Sequence, residues 1–129
     1  MGIAVITGSA GLIGAECVRT FADRGLDVVG IDNDMRRTLF GDEASTAWQS
    51  AALCREVAGY VHVDADIRDQ AAMNQVFARH GKSISVVIHA AAQPSHDWAA
   101  KDPAMDFSIN ATGTLNLLER TRAHCADAV

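Results

Sequence analysis

Apolar and polar positions follow two rhythms along this chain, and the change from one to the other marks its elements. Ile3-Ala4-Val5-Ile6 is a continuous apolar run, the pattern of a strand buried on both faces of a sheet. A glycine-rich turn follows, and Ala15-Glu16-Cys17-Val18-Arg19-Thr20-Phe21-Ala22 then takes up helical spacing, ended by Arg24-Gly25 with Gly as a left-handed cap. Asp27-Val28-Val29-Gly30-Ile31 predicts a second strand, and the polar residues 33–41 predict a loop. Residues 42–58 open on a carboxylate and space Ala47, Trp48, Ala51, Leu53, Cys54 and Val57 as a helix would. Tyr60-Val61-His62-Val63 predicts a short strand, and Asp69 caps a helix with Met73, Val76 and Phe77 on one face, closed by Gly81. Residues 83–89 hold Val86-Val87-Ile88, which predicts a strand with both faces covered. Residues 90–101 predict a loop, and Asp102-Pro103 starts a last helix whose stripe is Phe107, Ala111, Thr114, Leu115 and Leu118.

Strands alternating with helices specify an α/β fold. Four strands with three right-handed crossovers predict a Rossmann-type, doubly wound parallel sheet in the order 3-2-1-4. Ala128-Val129 would suit the start of a fifth strand. The expectation is that residues 1–129 are the amino-terminal, cofactor-binding part of a larger protein, with the substrate-binding portion absent. Val86-Val87-Ile88 is then expected to be an unpaired edge, prone to self-pairing.

Composition narrows the function classes. The chain has 129 residues, 49% of them hydrophobic, and a net charge of −5 with both signs interspersed. One domain with a sizeable core fits those values, whereas nucleic acid or an anionic membrane would call for clustered Lys and Arg. Cys17, Cys54 and Cys125 form no CxxC pair, which argues against a zinc site or disulfide framework and for a reducing, cytoplasmic setting. No stretch approaches a membrane span, and no signal peptide or myristoylation pattern is present.

The candidate chemistry lies at the first turn. Thr7-Gly8-Ser9-Ala10-Gly11-Leu12-Ile13-Gly14 stands between a strand and a helix. There Gly8 permits a tight turn, Gly11 lets the backbone approach a pyrophosphate, and Gly14 lets helix and strand pack closely. The helix start at Leu12 and Ile13 offers N–H groups and a positive dipole end to phosphates. Asp32 ends the second strand eighteen residues after Gly14, where a carboxylate meets an adenosine ribose. That context makes a dinucleotide site the favoured reading. Because a carboxylate repels a 2′-phosphate, it also favours NAD over NADP.

Other residues are ambiguous by themselves. Ala90, Ala91 and Ala92 suit either close passage of a cofactor or tight helix–sheet packing. Asn110 could meet cofactor or brace backbone, and Asp66 alone reads as a turn or cap residue. Arg36 and Arg37 could stack on adenine or reach a phosphate, and are left unassigned. His62 and His89 fall in strands and His80 and His124 at helix ends, where structural roles suffice. No pair of histidines has metal-ligand spacing, and the missing Lys-Ser/Thr excludes a Walker-type loop.

Five motifs in order carry a family resemblance. These are Thr7 to Gly14, Asp32-Asn33, Asp66-Ile67, His89-Ala90-Ala91-Ala92, and Asn110-Ala111-Thr112-Gly113-Thr114-Leu115-Asn116-Leu117-Leu118-Glu119. Together they resemble the extended short-chain dehydrogenase/reductase family, the NAD-dependent nucleotide-sugar epimerases and dehydratases. The loop Ala91-Ala92-Gln93-Pro94-Ser95-His96-Asp97-Trp98 and the stretch Ile31 to Arg37 are most like the CDP-paratose (CDP-tyvelose) 2-epimerases. The resemblance implies hydride transfer between a sugar carbon and NAD. It implies adenine contact at Asp66 and Ile67, cofactor contact at Asn33, Ala90, Ala91, Ala92, Gln93 and Asn110, and substrate contact at Ser95 and His96. It also implies a nucleotide-sugar substrate and pairing of subunits as a homodimer through helices, including the one from Asp102. The family's catalytic Tyr-x-x-x-Lys is not matched, since Tyr60 is followed four places on by Asp64. No catalytic residue is therefore assigned, and residues 1–129 alone are expected to be inactive. A non-catalytic dinucleotide sensor is the alternative reading.

Overall fold

A computed structural model describes residues 2–129. Its strands are β1 (Ile3–Thr7), β2 (Asp27–Ile31), β3 (Tyr60–Val63) and β4 (Ile84–His89). All pair in parallel, in the order β3-β2-β1-β4. The sheet is that of the Rossmann-type doubly wound fold. Its helices are α1 (Leu12–Asp23), α2 (Met35–Phe40), α3 (Ala47–Glu56), α4 (Gln70–His80), α5 (His96–Lys101), α6 (Pro103–Phe107) and α7 (Gly113–His124).

Strand periodicity distributes the core between two faces. Ala4, Ile6 and Val28 pack with Ala15 and Val18 of α1 and Leu53 of α3. Val5, Val29 and Ile31 pack on the opposite face with Met73, Val76 and Phe77 of α4 and Leu117 of α7. Gly30 is where β2 is crossed closely, because a Cβ there would lie 2.3 Å from Tyr60 Oη and 2.6 Å from Ser9 Oγ.

Five features depart from the sequence reading. First, residues 33–41 are not all loop. Asp34 adopts a left-handed conformation (φ 55°), and its carboxylate accepts from Thr46 N–H at 2.8 Å and Thr46 Oγ1 at 3.2 Å. That turn sets α2 in place. Second, the helix expected over 42–58 is a 3₁₀ turn at Asp42–Ala44 followed by α3, because the chain turns out of the helical path at Ser45 (ψ 138°), where Ser45 and Thr46 both donate to Asp34. Third, residues 90–101 contain α5, whose N-cap Ser95 accepts from Trp98 N–H at 3.2 Å.

The fourth is the last helix, which is interrupted. A π turn at Ser108–Thr112 separates α6 from α7 and rotates the following residues relative to an unbroken helix. The buried set is therefore Ile109, Gly113, Asn116 and Leu117, while Phe107, Leu115 and Leu118 of the expected stripe are exposed. Asn116 spends its amide on the Ile67 and Arg68 carbonyls, at 3.1 and 3.2 Å.

The β4 edge also differs. Val86, Val87 and Ile88 are half-buried rather than enclosed, since β4 is the outermost strand. Part of that edge is nevertheless paired. Val87 N–H donates to the Val129 carbonyl at 2.8 Å, and Val129 N–H donates to the Ser85 carbonyl at 3.1 Å. Val129 thus takes the place expected for the start of a fifth strand.

Candidate cofactor-binding site

The carboxyl ends of β1, β2 and β4 open on one groove, beside the point where the chain switches from β1–β2–β3 to β4 on the other side of β1. Parallel α/β sheets bind ligands at such switch points. The cavity is about 220 Å³ and is lined by the β1 turn (Gly8, Gly11), the end of β2 (Asp32, Asn33), the exit of β3 (Asp66, Ile67) and the exit of β4 (Ala90 to Ala92). Residues more than eighty positions apart therefore converge at one site.

Each glycine of the turn has a separate geometric reason. Gly8 is left-handed (φ 66°), and a Cβ there would meet the Ala90–Ala91 backbone at 2.8–2.9 Å. Gly14 has no room at all, since a Cβ would stand 1.9 Å from the Gly8 carbonyl oxygen. Gly11 differs from both. Its backbone is ordinary (φ −75°), and a Cβ would touch only the Gly8 carbonyl oxygen at 3.3 Å, so the space it keeps open belongs to the groove. It stands at the N-cap of α1 without a capping side chain. The first-turn N–H groups, including those of Leu12 and Ile13, are thus left for an anion. The side chains of Leu12 and Ile13 point to solvent.

Asp32 is fixed by backbone donors. Ala10 N–H donates to Oδ2 at 3.1 Å and Asp34 N–H to Oδ1 at 2.8 Å, which aims the carboxylate from the end of β2 along the groove. Asp66 is gripped by Arg68, whose Nε and Nη2 donate to the carboxylate at 2.7–3.1 Å while its backbone N–H adds 2.8 Å. Burial opposes ionisation of Asp66, but these bonds outweigh it and hold the carboxyl below its usual range. Its stabilising contribution is then present above the ordinary carboxylate pKa of about 4 and lost as pH falls through the lower folded value. Denaturant midpoints of wild type and Asp66→Asn should differ at neutral pH and converge in acid.

The other expected residues divide. Ala90, Ala91 and Ala92 line the groove, and Ala91 N–H donates to Thr7 Oγ1 at 3.2 Å. Thr7 Oγ1 also lies 2.7 Å from His89 Nδ1, while His89 Nε2 is 3.0 Å from Thr114 Oγ1, so His89 braces the ends of β1 and β4 on α7. Gln93 is buried and Asn110 exposed, and neither lines the groove. Gln93 N–H donates to Asn110 Oδ1 (2.9 Å), Asn110 Nδ2 returns a bond to the Gln93 carbonyl (3.0 Å), and both amides donate to Asp106. Their polar groups are spent on the loop itself. Ser95 caps α5, His96 is its exposed first residue, and neither lines the groove.

Other lining residues were not assigned to the site from the sequence. Met35, Arg36, Leu39 and Phe40 of α2 form one wall, with Pro94 and Ile109 also at the cavity. Arg36 Cζ lies 5.5 Å from the Phe40 ring centroid, whereas Arg37 turns away to pair with Asp42 at 2.7 Å. The apolar i, i+4 pair Met35 and Leu39 was the only available sign of this helix, and six residues are too few for periodicity to distinguish it from a loop.

Comparison with known proteins decides the family, since the NAD dependent epimerase/dehydratase family matches residues 4–129. The chain belongs to that family. Mouse UDP-glucose 4-epimerase is 33% identical over 122 residues, covering 93% of this chain and 34% of the mouse protein. The CDP-paratose 2-epimerase of Salmonella typhi is 28% identical over 120 residues, covering 93% of this chain and 32% of that protein. The crystal structure of the Thermus thermophilus UDP-glucose 4-epimerase complex with NAD superposes with a TM-score of 0.72 at 31% identity, over 95% of this chain and 34% of that one. The chain thus spans about a third of the length of the curated relatives it matches. UDP-glucose 4-epimerases recur among these relatives more often than the CDP-sugar 2-epimerases that the loop sequence resembles. Among the described residues, no helix is long and apolar enough to cross a membrane.

Proposed function

We propose that this chain is the NAD-binding part of a nucleotide-sugar epimerase, and that its sugar nucleotide is a CDP-sugar epimerised at C2. The observation that carries the cofactor reading is the convergence of Gly11, Asp32, Asp66 and Ala90 to Ala92 on one groove, into which a side chain at Gly11 would extend. Bound NAD would supply a hydride acceptor and donor next to the sugar ring. The chain's own residues bind and orient it. The α1 N-terminus meets the pyrophosphate, Asp32 accepts the adenosine ribose hydroxyls, and Asp66 and Ile67 flank the adenine. Ala90 to Ala92 let the rest of the cofactor pass close to β4. Proton transfer is not assigned to Tyr60, which lies in β3 and donates its hydroxyl to Ser9 Oγ at 3.1 Å.

Two features support the CDP-sugar form. These are the segment Gln93-Pro94-Ser95-His96-Asp97-Trp98 and the kinship with a CDP-paratose 2-epimerase. Calorimetry with NAD tests the first half of the proposal, and absence of saturable binding would end it. Turnover tests the second half: the protein containing this chain should invert C2 of a CDP-sugar and leave UDP-glucose unchanged. Conversion of UDP-glucose at C4 would replace the CDP-sugar assignment while keeping the cofactor reading.

A further inference from the structure

Two six-residue helices face each other beside the groove, and neither has a core of its own. α2 and α5 bury no residue, and helices this short are unstable in isolation. One bond links them across fifty-nine positions of sequence: Trp98 Nε1–H of α5 donates to the Leu39 carbonyl of α2 at 3.1 Å. Lys101 Nζ lies over the indole, 4.4 Å from the ring centroid. Leu39 lines the groove and Trp98 does not. Upstream of α5, Gln93 Nε2 donates to the Ser95 carbonyl at 3.0 Å and Ser95 N–H donates to Gln93 Oε1 at 2.7 Å, and downstream the segment runs through Asp102 into α6, which packs against it. Trp98 is what ties it to α2.

We propose that Trp98 is a positioning residue that makes α2 and α5 one cooperative clamp, so that a ligand resting on α2 also orders the segment carrying Ser95 and His96. The inference rests on reading the groove as the NAD site. Coupling of this kind is reciprocal: a group that orders α5 strengthens what binds against α2. Cofactor occupancy and the geometry of the Ser95–His96 segment are thereby linked through a side chain that touches neither ligand.

The test is hydrogen exchange on the protein and on Trp98→Phe, which keeps an aromatic ring for Lys101 and loses the indole donor. Without ligand, Trp98→Phe should speed exchange about fivefold in both 35–41 and 96–101, the effect of one ordinary hydrogen bond, and leave the amides of β1 and β2 unchanged. With NAD, the wild type should gain protection in both segments and the variant in 35–41 alone. Lys101→Ala, which retains the indole donor, should behave as wild type. Equal NAD-induced protection of 96–101 in Trp98→Phe, or faster exchange throughout the sheet, would overturn the inference. Failure of NAD to bind either protein would instead remove the cofactor reading, and the ligand-free comparison would still decide whether the two helices are joined.

Discussion

Gly11→Val should abolish detectable NAD binding, weakening it by about a hundredfold or more, while the protein unfolds at nearly the wild-type temperature. The backbone at Gly11 is one that any L-residue adopts, and a Cβ there meets only the Gly8 carbonyl oxygen, at 3.3 Å. The rest of a valine side chain would extend into the cavity that Gly11 lines, the space the proposed site gives to the pyrophosphate. Gly14→Ala should do the reverse. Its methyl group would stand 1.9 Å from the Gly8 carbonyl oxygen, so α1 must withdraw from the β1 turn. Overpacking of that kind costs about 1–3 kcal/mol, which thermal unfolding resolves before any ligand is added. Titration calorimetry and melting curves on the two variants separate ligand space from packing space. Retained NAD affinity in a folded Gly11→Val protein would remove Gly11 from the site.

The same distinction explains what could be read from the sequence. Thr7 to Gly14 and Asp32 were legible because each requirement is local: a strand end, a left-handed turn, a close helix, a carboxylate at the next strand end. The sheet order followed from crossover handedness and the count of strands. Residues whose roles are set by distant partners were not legible. Gln93 and Asn110 look like candidate ligands in sequence, yet Asp106 and their mutual bonds consume them, and nothing in the spacing of 93, 106 and 110 announces that closed ring.

Helix α2 was hidden for a related reason. Its start depends on Asp34 in a left-handed conformation, which costs energy that the bonds from Thr46 offset. A window confined to residues 33–41 contains the strained residue without its partner. The π turn at Ser108–Thr112 defeated the periodicity argument differently, by changing the period within a single run. Ile109, Gly113 and Leu117 keep a four-residue spacing that was available in the sequence, but Phe107, Leu115 and Leu118 offered a competing apolar stripe. Tertiary contact chose between them: a Cβ on Gly113 would lie 2.5 Å from Ile67 Cδ1, so this face alone can approach the exit of β3.

NAD should bind at least about a hundredfold more tightly than NADP, and Asp32 is the reason. Its two carboxylate oxygens already accept Ala10 N–H at 3.1 Å and Asp34 N–H at 2.8 Å, which fixes their direction. Each oxygen retains a further lone pair, enough to accept one ribose hydroxyl apiece. A 2′-phosphate would bring a second negative charge to the same place. Two unit charges about 4 Å apart repel by about 4 kcal/mol at the dielectric of a protein surface, more than a hundredfold in affinity. Arg36, at the groove wall, opposes that repulsion only in part, since it is exposed and its charge is screened by solvent. Asp32→Asn removes the charge and keeps one acceptor, so selectivity should fall to about tenfold or less. NAD affinity should drop as well, because Ala10 and Asp34 can no longer both find an oxygen. Dissociation constants for the two cofactors, measured at one ionic strength with both proteins, give the four values needed. Equal affinities in the wild type would show that Arg36 pairs with the phosphate and that Asp32 serves the turn rather than the ribose.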